Sequence, residues 1–466
     1  MTESHHKETS FLNLQTKWWV LIAIGTSTFM SALDTSVVNT ILPVIQDSFG
    51  SDVATIEWIV TVYLLVVSGL LLTFGRLGDI RGHKPVFLSG FIIFIIASAL
   101  CGLAQSAGAL IAFRGIQAIG AAMLAANSPA ILTDNFPDHQ RGQALGLQAT
   151  MTYLGLTVAP SFGGWLTHLF SWRAVFYINI PVGLTALFLS WRFIPTDQPA
   201  DSSERFDSIG ALTFIIGLVL LLVGLNQGHA WGWTSPYTLG ILIVAVLFIF
   251  LFLIIEGRKN HPMLDLELFQ NRVFSAAVAT AVINYICVFS IIFLMPFYLL
   301  QGRDLNPAQA GLILTIQPII MAIVAPISGT LSDRIGIRWP TITGMMILAV
   351  GLFSLSKLGP DTQYTWIAFS LVLTGSGTGT FISPNNSAIM GSAPLNRRGI
   401  AAGVLATARS VGMVLGIGIA GAIFTTIMAH SSAEESGNAF FFAIQTSFLI
   451  TSGIAMLGVI TSAIRK

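Results

Sequence analysis

Apolar residues occupy most of the chain in long runs that are separated by short polar segments. Each run contains about 20 residues, the length at which an α-helix crosses a hydrocarbon core about 30 Å thick. The pattern predicts fourteen membrane-spanning helices. They are expected near residues 18–42, 56–76, 86–105, 108–133, 141–168, 174–195, 207–226, 237–256, 273–300, 307–331, 339–357, 365–390, 398–428 and 440–464. The run from Val86 to Leu132 is too long for one crossing, so we divide it at residues 104–107.

The positions of lysine and arginine orient these spans. If the N-terminus is cytoplasmic, most of the 22 Lys and Arg residues fall on the cytoplasmic side, and only Arg173, Arg303 and Lys357 fall outside. Arg114 and Arg409 lie within spans. Because basic residues concentrate on the cytoplasmic side of membrane proteins, this bias favours two cytoplasmic termini and an even number of spans. We expect a multi-pass protein of the plasma membrane, which is the inner membrane in bacteria.

The second part of the chain repeats the first. Three pairs of short segments match at nearly constant offsets of 254 to 257 residues: 75–82 with 329–336, 128–129 with 383–384, and 141–146 with 398–403. Both members of each pair lie on the same side of the membrane. The repeat is therefore parallel, with a central substrate site expected between two halves of six spans. Because the offset exceeds the length of six spans, spans seven and eight form an insertion.

The predicted organisation is six plus two plus six spans. In chain order we expect a cytoplasmic tail at 1–17, a six-helix bundle at 18–195, a cytoplasmic linker at 196–206, an inserted helix pair at 207–256, a second linker at 257–272 and a second six-helix bundle at 273–466. The first linker is the one sizeable hydrophilic stretch and contains Pro199 and three acids, Asp197, Asp201 and Glu204. No soluble domain is predicted.

Composition supports this interpretation and excludes several functions. Hydrophobic residues make up 54% of the chain and charged residues 9%, whereas soluble domains carry about 25% charged residues. The net charge of +1 and the lack of a basic tract argue against a nucleic-acid partner. Cys101 and Cys287 lie in apolar runs and are expected to be buried thiols rather than a disulfide. No metal-ligand cluster or phosphate-binding loop occurs, so we expect no cofactor and no use of ATP.

A glycine-rich segment after span two carries charges at regular positions. It reads Gly75-Arg-Leu-Gly-Asp79-Ile-Arg81-Gly82-His-Lys84 and resembles the loop motif of the major facilitator superfamily. The resemblance implies a conformational latch, in which Asp79 contacts the N-terminus of a neighbouring helix and Arg81 pairs with Asp134. Asp333 and Arg334 take the equivalent positions in the second half. The alternative is that Arg81 and Lys84 only set the topology.

Further motifs are similar to those of the fourteen-helix drug:proton antiporters of that superfamily. They are Leu33–Pro43 in span one, Trp172–Gly183 at span six and His261–Phe269 before span nine, while Arg114–Gly120 in span four is similar to the intramembrane arginine motif of the superfamily as a whole. In span five, the family's antiporter motif is matched by Gly146, Gly155, Pro160, Gly163 and Gly164, although Ala159 replaces the usual glycine before the proline. The resemblance implies an all-α major facilitator fold and proton-driven multidrug efflux, a cause of antibiotic resistance.

Asp34 is the candidate for proton coupling, because it lies well inside span one whereas most carboxylates lie in loops or at span ends. Arg114 is at a comparable depth in span four, and Glu57 opens span two on the same side. Burial favours a neutral carboxyl group and a nearby cation favours the charged form. We therefore predict that Asp34 is the protonation site and that Arg114 tunes it. The alternative is a static ion pair that holds spans one and four together.

The residues expected to line a substrate cavity are aromatic or polar. They are Asn39, Trp58, Tyr63, Gln117, Tyr285, Phe289, Phe293 and Arg409. Tyr285, Phe289, Phe293 and Phe297 recur every four residues and form one stripe, which is equally compatible with contact to lipid. A cavity of this kind suits flat, lipophilic or cationic substrates. Arg409 either joins the two halves or binds an anionic group.

The sequence favours a proton-coupled exporter of lipophilic or cationic drugs. Export of a lipid or a lipid-like metabolite remains open, because the same branch includes such proteins. A membrane enzyme lacks support, since no H-E-x-x-H or G-x-S-x-G segment occurs. A sensor or scaffold would not require the span-five motif or a buried Asp34. We expect a monomer whose partners are protons and membrane lipids, and periplasmic adaptor proteins are candidate partners.

Overall fold

The computed structural model describes residues 2–51, 53–196, 206–232, 235–259, 262, 264–305, 307–429 and 436–464. Within these ranges the chain forms sixteen α-helices and no strand. The helices are α1 (Thr2–Phe49), α2 (Val53–Arg81), α3 (His83–Gly102), α4 (Ala107–Asn135), α5 (Arg141–Leu169), α6 (Ala174–Tyr177), α7 (Asn179–Phe193), α8 (Ser208–Trp231), α9 (Pro236–Glu256), α10 (Arg272–Phe297), α11 (Pro307–Leu314), α12 (Ile316–Ile335), α13 (Arg338–Leu355), α14 (Tyr364–Ser392), α15 (Arg398–Ala429) and α16 (Ser436–Ala463).

The fourteen predicted spans all coincide with helices. Thirteen of the described helical segments are long and apolar enough to cross a membrane. The exception is α5, which has 29 residues but is rich in glycine, threonine and glutamine. Span six is divided into α6 and α7, span ten into α11 and α12, and α10 continues into a π-helical turn at Tyr298–Gly302. The helix-rich architecture confirms the predicted all-α fold.

The structure describes the predicted tail and the two predicted linkers to different extents. The tail expected at 1–17 belongs to α1, which begins at Thr2. Most of the linker expected at 196–206, including Asp197, Asp201 and Glu204, lies outside the described residues, as do residues 260, 261 and 263 of the second linker.

The chain divides into two compact units. The first comprises Met1–Ser208, Asn260–Leu264 and Ala393–Ala406. The second comprises Ile209–Lys259, Asp265–Ser392 and Thr407–Lys466. Helices α1–α7 therefore belong to the first unit, together with the first turns of α15. Helices α8 and α9, which the sequence predicts to be an inserted pair, belong to the second unit from Ile209 onwards.

Each unit contains the same close helix crossing. A Cβ atom on Gly120 of α4 would lie 2.7 Å from the backbone oxygen of Gly90 in α3. In the second unit, a Cβ atom on Gly344 of α13 would lie 2.8 Å from the backbone oxygen of Gly377 in α14. Gly90 and Gly344, and Gly120 and Gly377, are separated by the offset that relates the sequence repeats. The repeat therefore extends from short motifs to the packing of the two units, where glycine lets the backbones touch.

Apolar side chains cover the outer surface of the helices. On α9, Phe250 is 62% exposed and Ile243 is 60% exposed. Such surfaces are too apolar for contact with water and fit the hydrocarbon core of a bilayer. The chain is an integral, multi-pass membrane protein.

Gly120→Ala is expected to destabilise the first unit, because its methyl group would meet backbone atoms of both Gly90 and Phe94. Overpacking of this kind typically costs about 1–3 kcal/mol. Gly108→Ala on the same helix is the matched control, since nothing lies within 4 Å of its added Cβ atom. Thermal unfolding of the purified proteins in detergent measures the difference. Equal transition temperatures for both variants would contradict the close crossing of α3 and α4.

Candidate functional site

Asp34 and Arg114 form an ion pair inside the first unit. The Arg114 Nη1 atom lies 2.6 Å from Asp34 Oδ2, and both side chains are fully buried. Arg114 Nε also donates to the backbone oxygen of Ile59 at 3.4 Å. The guanidinium carbon lies 4.1 Å from the ring centre of Tyr63, a cation–π contact. Helices α1, α2 and α4 therefore meet around one buried pair of opposite charges.

Two neutral amides complete the surroundings of the Asp34 carboxylate. Asn179 Nδ2 donates to Asp34 Oδ1 at 2.7 Å, and Gln117 Nε2 donates to the same oxygen at 3.1 Å. Gln117 also accepts from Arg114 Nη1 at 2.6 Å and donates to Ser98 Oγ at 2.8 Å. The Asp34 carboxylate therefore accepts hydrogen bonds from three side chains, Arg114 and Gln117 of α4 and Asn179 of α7.

The network includes residues that were assigned differently or missed from the sequence. Gln117 and Tyr63 were expected to line a cavity, but Gln117 is fully buried and Tyr63 is 3% exposed beside Arg114. Asn179 was recognised only as part of the Trp172–Gly183 motif, and Ser98 was not singled out. A polar residue inside an apolar run is the signal that identifies both of them.

Two residues of the first unit that the sequence predicts to line a cavity lie outside this network. Asn39 is exposed, and Trp58 is 39% exposed. The side chain of Glu57 lies outside the described residues, so its predicted role stays a prediction.

The side chain of Asp79, near the end of α2, contacts the start of another helix. Its Oδ1 accepts from the backbone nitrogen of Gly399 at 2.7 Å, and its Oδ2 accepts from that of Ile400 at 2.9 Å. These two nitrogens belong to the first turn of α15, and all three residues belong to the first unit. A carboxylate at a helix N-terminus satisfies unpaired N–H groups and complements the positive end of the helix dipole. We call these two hydrogen bonds the Asp79 latch contact.

The turn after α2 explains the glycines of this motif. Gly82 has a φ of 90°, a conformation that side chains rarely adopt. A Cβ atom on Gly75 would collide with the backbone oxygen of Gly399. Just beyond the turn, His83 Nε2 lies 3.6 Å from Asp79 Oδ1, and Lys84 Nζ donates to the backbone oxygen of Ile194 at 2.5 Å. Both glycines therefore allow the close approach that the Asp79 latch contact requires.

The predicted pair between Arg81 and Asp134 is wrong. Asp134 instead forms an ion pair with Arg398, the first residue of α15. Arg398 also donates to the backbone oxygen of Thr133 at 3.3 Å, so it serves two acceptors at the end of α4. The Arg81 side chain is exposed. Solvation satisfies Arg81, whereas Arg398 is 5% exposed and requires protein acceptors.

The equivalent motif in the second half of the chain is less buried than the segment around Asp79. Asp333 is half-buried and Arg334 is exposed at the end of α12.

The span-five glycines position α5 against α1. A Cβ atom on Gly155 would lie 2.8 Å from the backbone oxygen of Phe29, and one on Gly163 would lie 2.5 Å from Val37 Cγ1. Gly146 is buried, and a Cβ atom on Gly164 would meet open space. The side chain of Pro160 lies outside the described residues. Three of the four glycines therefore have a packing role, and two hold α5 against the helix that carries Asp34.

In the second unit, the Tyr285 side chain lies near the charge of Arg409. The aromatic stripe on α10 packs partly on α15, because a Cβ atom on Gly412 would lie 2.7 Å from Tyr285 Cβ and one on Gly421 would lie 3.6 Å from Phe293 Cζ. Phe289 and Phe293 are half-buried. The stripe therefore contacts protein as well as the surroundings of the unit.

Asp79→Asn is expected to weaken the Asp79 latch contact, because a charged acceptor is replaced by a neutral one that satisfies only one of the two N–H groups. Loss of such a helix cap costs about 0.5–2 kcal/mol. Hydrogen exchange of the Gly399 and Ile400 amides, followed by mass spectrometry, measures the opening of the first turn of α15. Arg81→Gln, a change at an exposed neighbour, is the control. Unchanged exchange in Asp79→Asn would contradict the contact.

Comparison with known proteins gives a consistent result. The profile of the Major Facilitator Superfamily matches residues 24–417 and 278–464. The chain is 34% identical over 449 residues to the riboflavin transporter RibZ of Clostridioides difficile, covering 96% of this chain and 97% of that protein. It is 32% identical over 410 residues to the multidrug resistance protein Stp of Mycobacterium tuberculosis, covering 88% of this chain and 76% of that protein.

The fold is also shared with solved structures. The human organic anion transporter MFSD10 superposes with a TM-score of 0.70 at 14% sequence identity, over 96% of this chain and 99% of that chain. At this level of identity the likeness concerns the fold alone.

Proposed function

The chain belongs to the major facilitator superfamily, and from this membership we propose that it is a proton-coupled antiporter that exports lipophilic drugs. It is a membrane transporter and not an enzyme. The likeness to the multidrug resistance protein Stp supports drug efflux. The resemblance of several motifs to the fourteen-helix drug:proton antiporters supports proton exchange as the driving force, with no cofactor.

The buried Asp34–Arg114 pair is the observation that carries proton coupling. Protonation of Asp34 would leave the Arg114 charge without its partner in a site closed to water, which is costly. Proton binding is therefore tied to a rearrangement that re-solvates or re-pairs Arg114. In the proposed cycle Asp34 takes up a proton from the outside and releases it to the cytoplasm. Release restores the ion pair, and a cationic drug competes with the proton for the same carboxylate.

In the proposed cycle the Asp79 latch contact forms in one conformational state and breaks in the other. In the proposed mechanism α15 is held at its N-terminus in one state and released in the other. A second interaction, the ion pair of Arg398 with Asp134, holds the first turn of α15 to the end of α4. Both contacts lie near the ends of helices, where a small displacement removes several hydrogen bonds together.

Transport by the purified protein in proteoliposomes tests the proposal. Ethidium, a lipophilic cation, is the first probe, and its movement is followed by fluorescence with and without an imposed pH gradient. Antiport is supported if ethidium accumulates against its own concentration gradient only when the pH gradient is present. Accumulation that is unaffected when the pH gradient is collapsed would exclude proton coupling.

Transport of a metabolite is the second candidate function. It is favoured by the match to the riboflavin transporter RibZ, which covers nearly the whole of both chains. Export of a lipid-like metabolite, expected as an alternative from the sequence, belongs to the same class. Growth of cells with and without the protein, on a panel of cationic dyes, quinolones, tetracyclines and fatty acids, distinguishes drugs from metabolites. Riboflavin content of the cells and medium is measured in parallel.

We place the protein in the plasma membrane with both termini in the cytoplasm, on the basis of the distribution of lysine and arginine. We propose that it works as a monomer, with lipids around it and periplasmic adaptor proteins as candidate partners. The orientation is tested by fusing a reporter protein to each terminus in turn. The reporter is one that fluoresces only in the cytoplasm. A dark fusion at either end would reject it.

A further inference from the structure

Three buried polar side chains of the second unit have atoms without hydrogen-bond partners. Asn284 on α10 and Thr378 on α14 are fully buried, and Gln317 on α12 is 5% exposed. Both amide atoms of Asn284, the Nε2 atom of Gln317 and the Oγ1 atom of Thr378 make no hydrogen bond to any residue that the structure describes. Buried polar groups in proteins are nearly always paired, so these groups require an explanation.

The relative direction of neighbouring helices follows from two contacts between each pair of helices. Where residue numbers rise along one helix while they fall along the other, the two helices are antiparallel. For α10 with α16 the contacts are Thr280 with Thr461 and Cys287 with Thr451, for α16 with α13 Ser452 with Ala349 and Gly458 with Met345, and for α13 with α14 Ser354 with Ser370 and Gly344 with Phe381. Three antiparallel steps place α14 antiparallel to α10.

Asn284 and Thr378 face each other at one level. Asn385 Nδ2 of α14 donates to the backbone oxygen of Ala277 on α10 at 3.1 Å, which fixes one point of contact. Asn284 is seven residues after Ala277, and Thr378 is seven residues before Asn385. Seven residues are about two helical turns, so each residue lies on the same face as its contact residue and at the same distance along the helix.

Gln317 reaches the same level from α12. A Cβ atom on Gly375 would lie 2.8 Å from the backbone oxygen of Gln317. Gly375 is three residues before Thr378 on α14, which is less than one turn. The side chains of Asn284, Gln317 and Thr378 therefore gather at one level of the second unit, on three neighbouring helices. We call this set the amide cluster.

The chemistry of the amide cluster selects a neutral partner. Helices α10 and α14 contain no acidic residue, and Asp333, the one acid of α12, lies at the end of that helix. A cation would find no compensating charge there. Asn284 carries a free donor and a free acceptor, and the other two residues supply further polar atoms. A group that presents an N–H beside a carbonyl oxygen satisfies both kinds at once.

We propose that Asn284, Gln317 and Thr378 bind a neutral amide, imide or ureide group of the transported molecule. The inference rests on the proposed transport function and specifies its substrate class. The isoalloxazine ring of riboflavin carries such an imide, in keeping with the likeness to RibZ. The buried groups remain unpaired when the substrate lacks a matching edge, and this is how polar sites reject analogues.

Binding of three fluorescent probes to the purified full chain in detergent tests the proposal. Riboflavin carries the imide N–H, 3-methylriboflavin lacks it, and ethidium is a cation without an imide. The variants are Asn284→Leu and Thr378→Val. Thr374→Val is the matched control, because Thr374 is also fully buried on α14 but donates to the backbone oxygen of Leu371 at 3.1 Å.

We expect Asn284→Leu and Thr378→Val each to raise the Kd for riboflavin about tenfold, equivalent to about 1.4 kcal/mol. The Kd for ethidium should not change, wild type should bind 3-methylriboflavin less tightly than riboflavin, and Thr374→Val should bind all probes like wild type. Failure of wild type to bind riboflavin would overturn the proposal, as would equal losses for riboflavin and ethidium or no loss at all. The last two outcomes would assign the amide cluster to structural water.

These measurements are made without a pH gradient. Loss of proton coupling in the proteoliposome assay would therefore reject the proposed function and leave the comparison of Kd values intact. The converse combination is ethidium transport driven by the pH gradient while Asn284→Leu and Thr378→Val change the Kd values for riboflavin and ethidium equally. That combination would reject only the amide cluster as a substrate site.

Discussion

Asp34→Asn is expected to abolish uphill transport while leaving the protein folded. The substitution keeps the size of the side chain but removes the group that takes up and releases the proton. A positioned proton-transfer group typically contributes at least about 100-fold to a rate, so we expect gradient-driven ethidium accumulation to fall by about two orders of magnitude. The thermal unfolding transition of the purified variant shows whether the fold survives.

Asp47→Asn is the matched control for this experiment, because Asp47 lies on the same helix but is exposed. The control should transport like wild type. An Asp34→Asn protein that still accumulates substrate with an unchanged pH dependence would remove Asp34 from the coupling mechanism. The Asp34–Arg114 pair would then be the static ion pair that the sequence left as an alternative.

Arg114→Leu is expected to have the largest effect on stability. It leaves the Asp34 carboxylate buried without its cationic partner, and breaking a buried pair in this way costs about 3–5 kcal/mol. Arg192→Leu on α7 removes an exposed arginine and should cost little. Unfolding in detergent, followed by circular dichroism, compares the free energies of the two variants.

The double variant Asp34→Asn with Arg114→Leu separates charge from packing. If the loss in Arg114→Leu comes from the unpaired carboxylate, the second substitution should recover a large part of it. The two substitutions then show the strong non-additivity that is typical of directly contacting residues. Additive losses would mean that Arg114 stabilises the unit through its contacts with Tyr63 and Ile59 instead.

The architecture was largely predictable because the physical constraints on a membrane-spanning chain are simple. A span needs a minimum apolar length, and its ends divide basic residues between two sides. These two rules located fourteen spans that all coincide with helices, including α5, whose glycines and polar residues make it the least apolar. The repeat in sequence also predicted that the two units would be built alike, as the crossings at Gly120 and Gly377 are.

Side-chain partners were less predictable because they depend on which helices meet. The sequence placed Asp34 and Arg114 at similar depth, and the structure brings them together. It could not identify Asn179 as a donor to Asp34, since Asn179 is 145 residues away and reaches the pair only through the packing of α7. For the same reason Arg398 could not be distinguished from Arg81 as the partner of Asp134. Both are basic residues near helix ends, and their burial decides between them.

The sequence repeat predicts that α8 and α9 are an insertion, and this prediction bears on the origin of the chain. The sequence repeat predicts two halves that run in the same direction through the bilayer, and an insertion between such halves must contain an even number of crossings. One or three added helices would turn the second half upside down and place its basic loops on the wrong side. A hairpin of two is the smallest addition that preserves parity. On this interpretation of the repeat, a twelve-helix ancestor gains α8 and α9 in one event, without any change to the charges that orient its older helices.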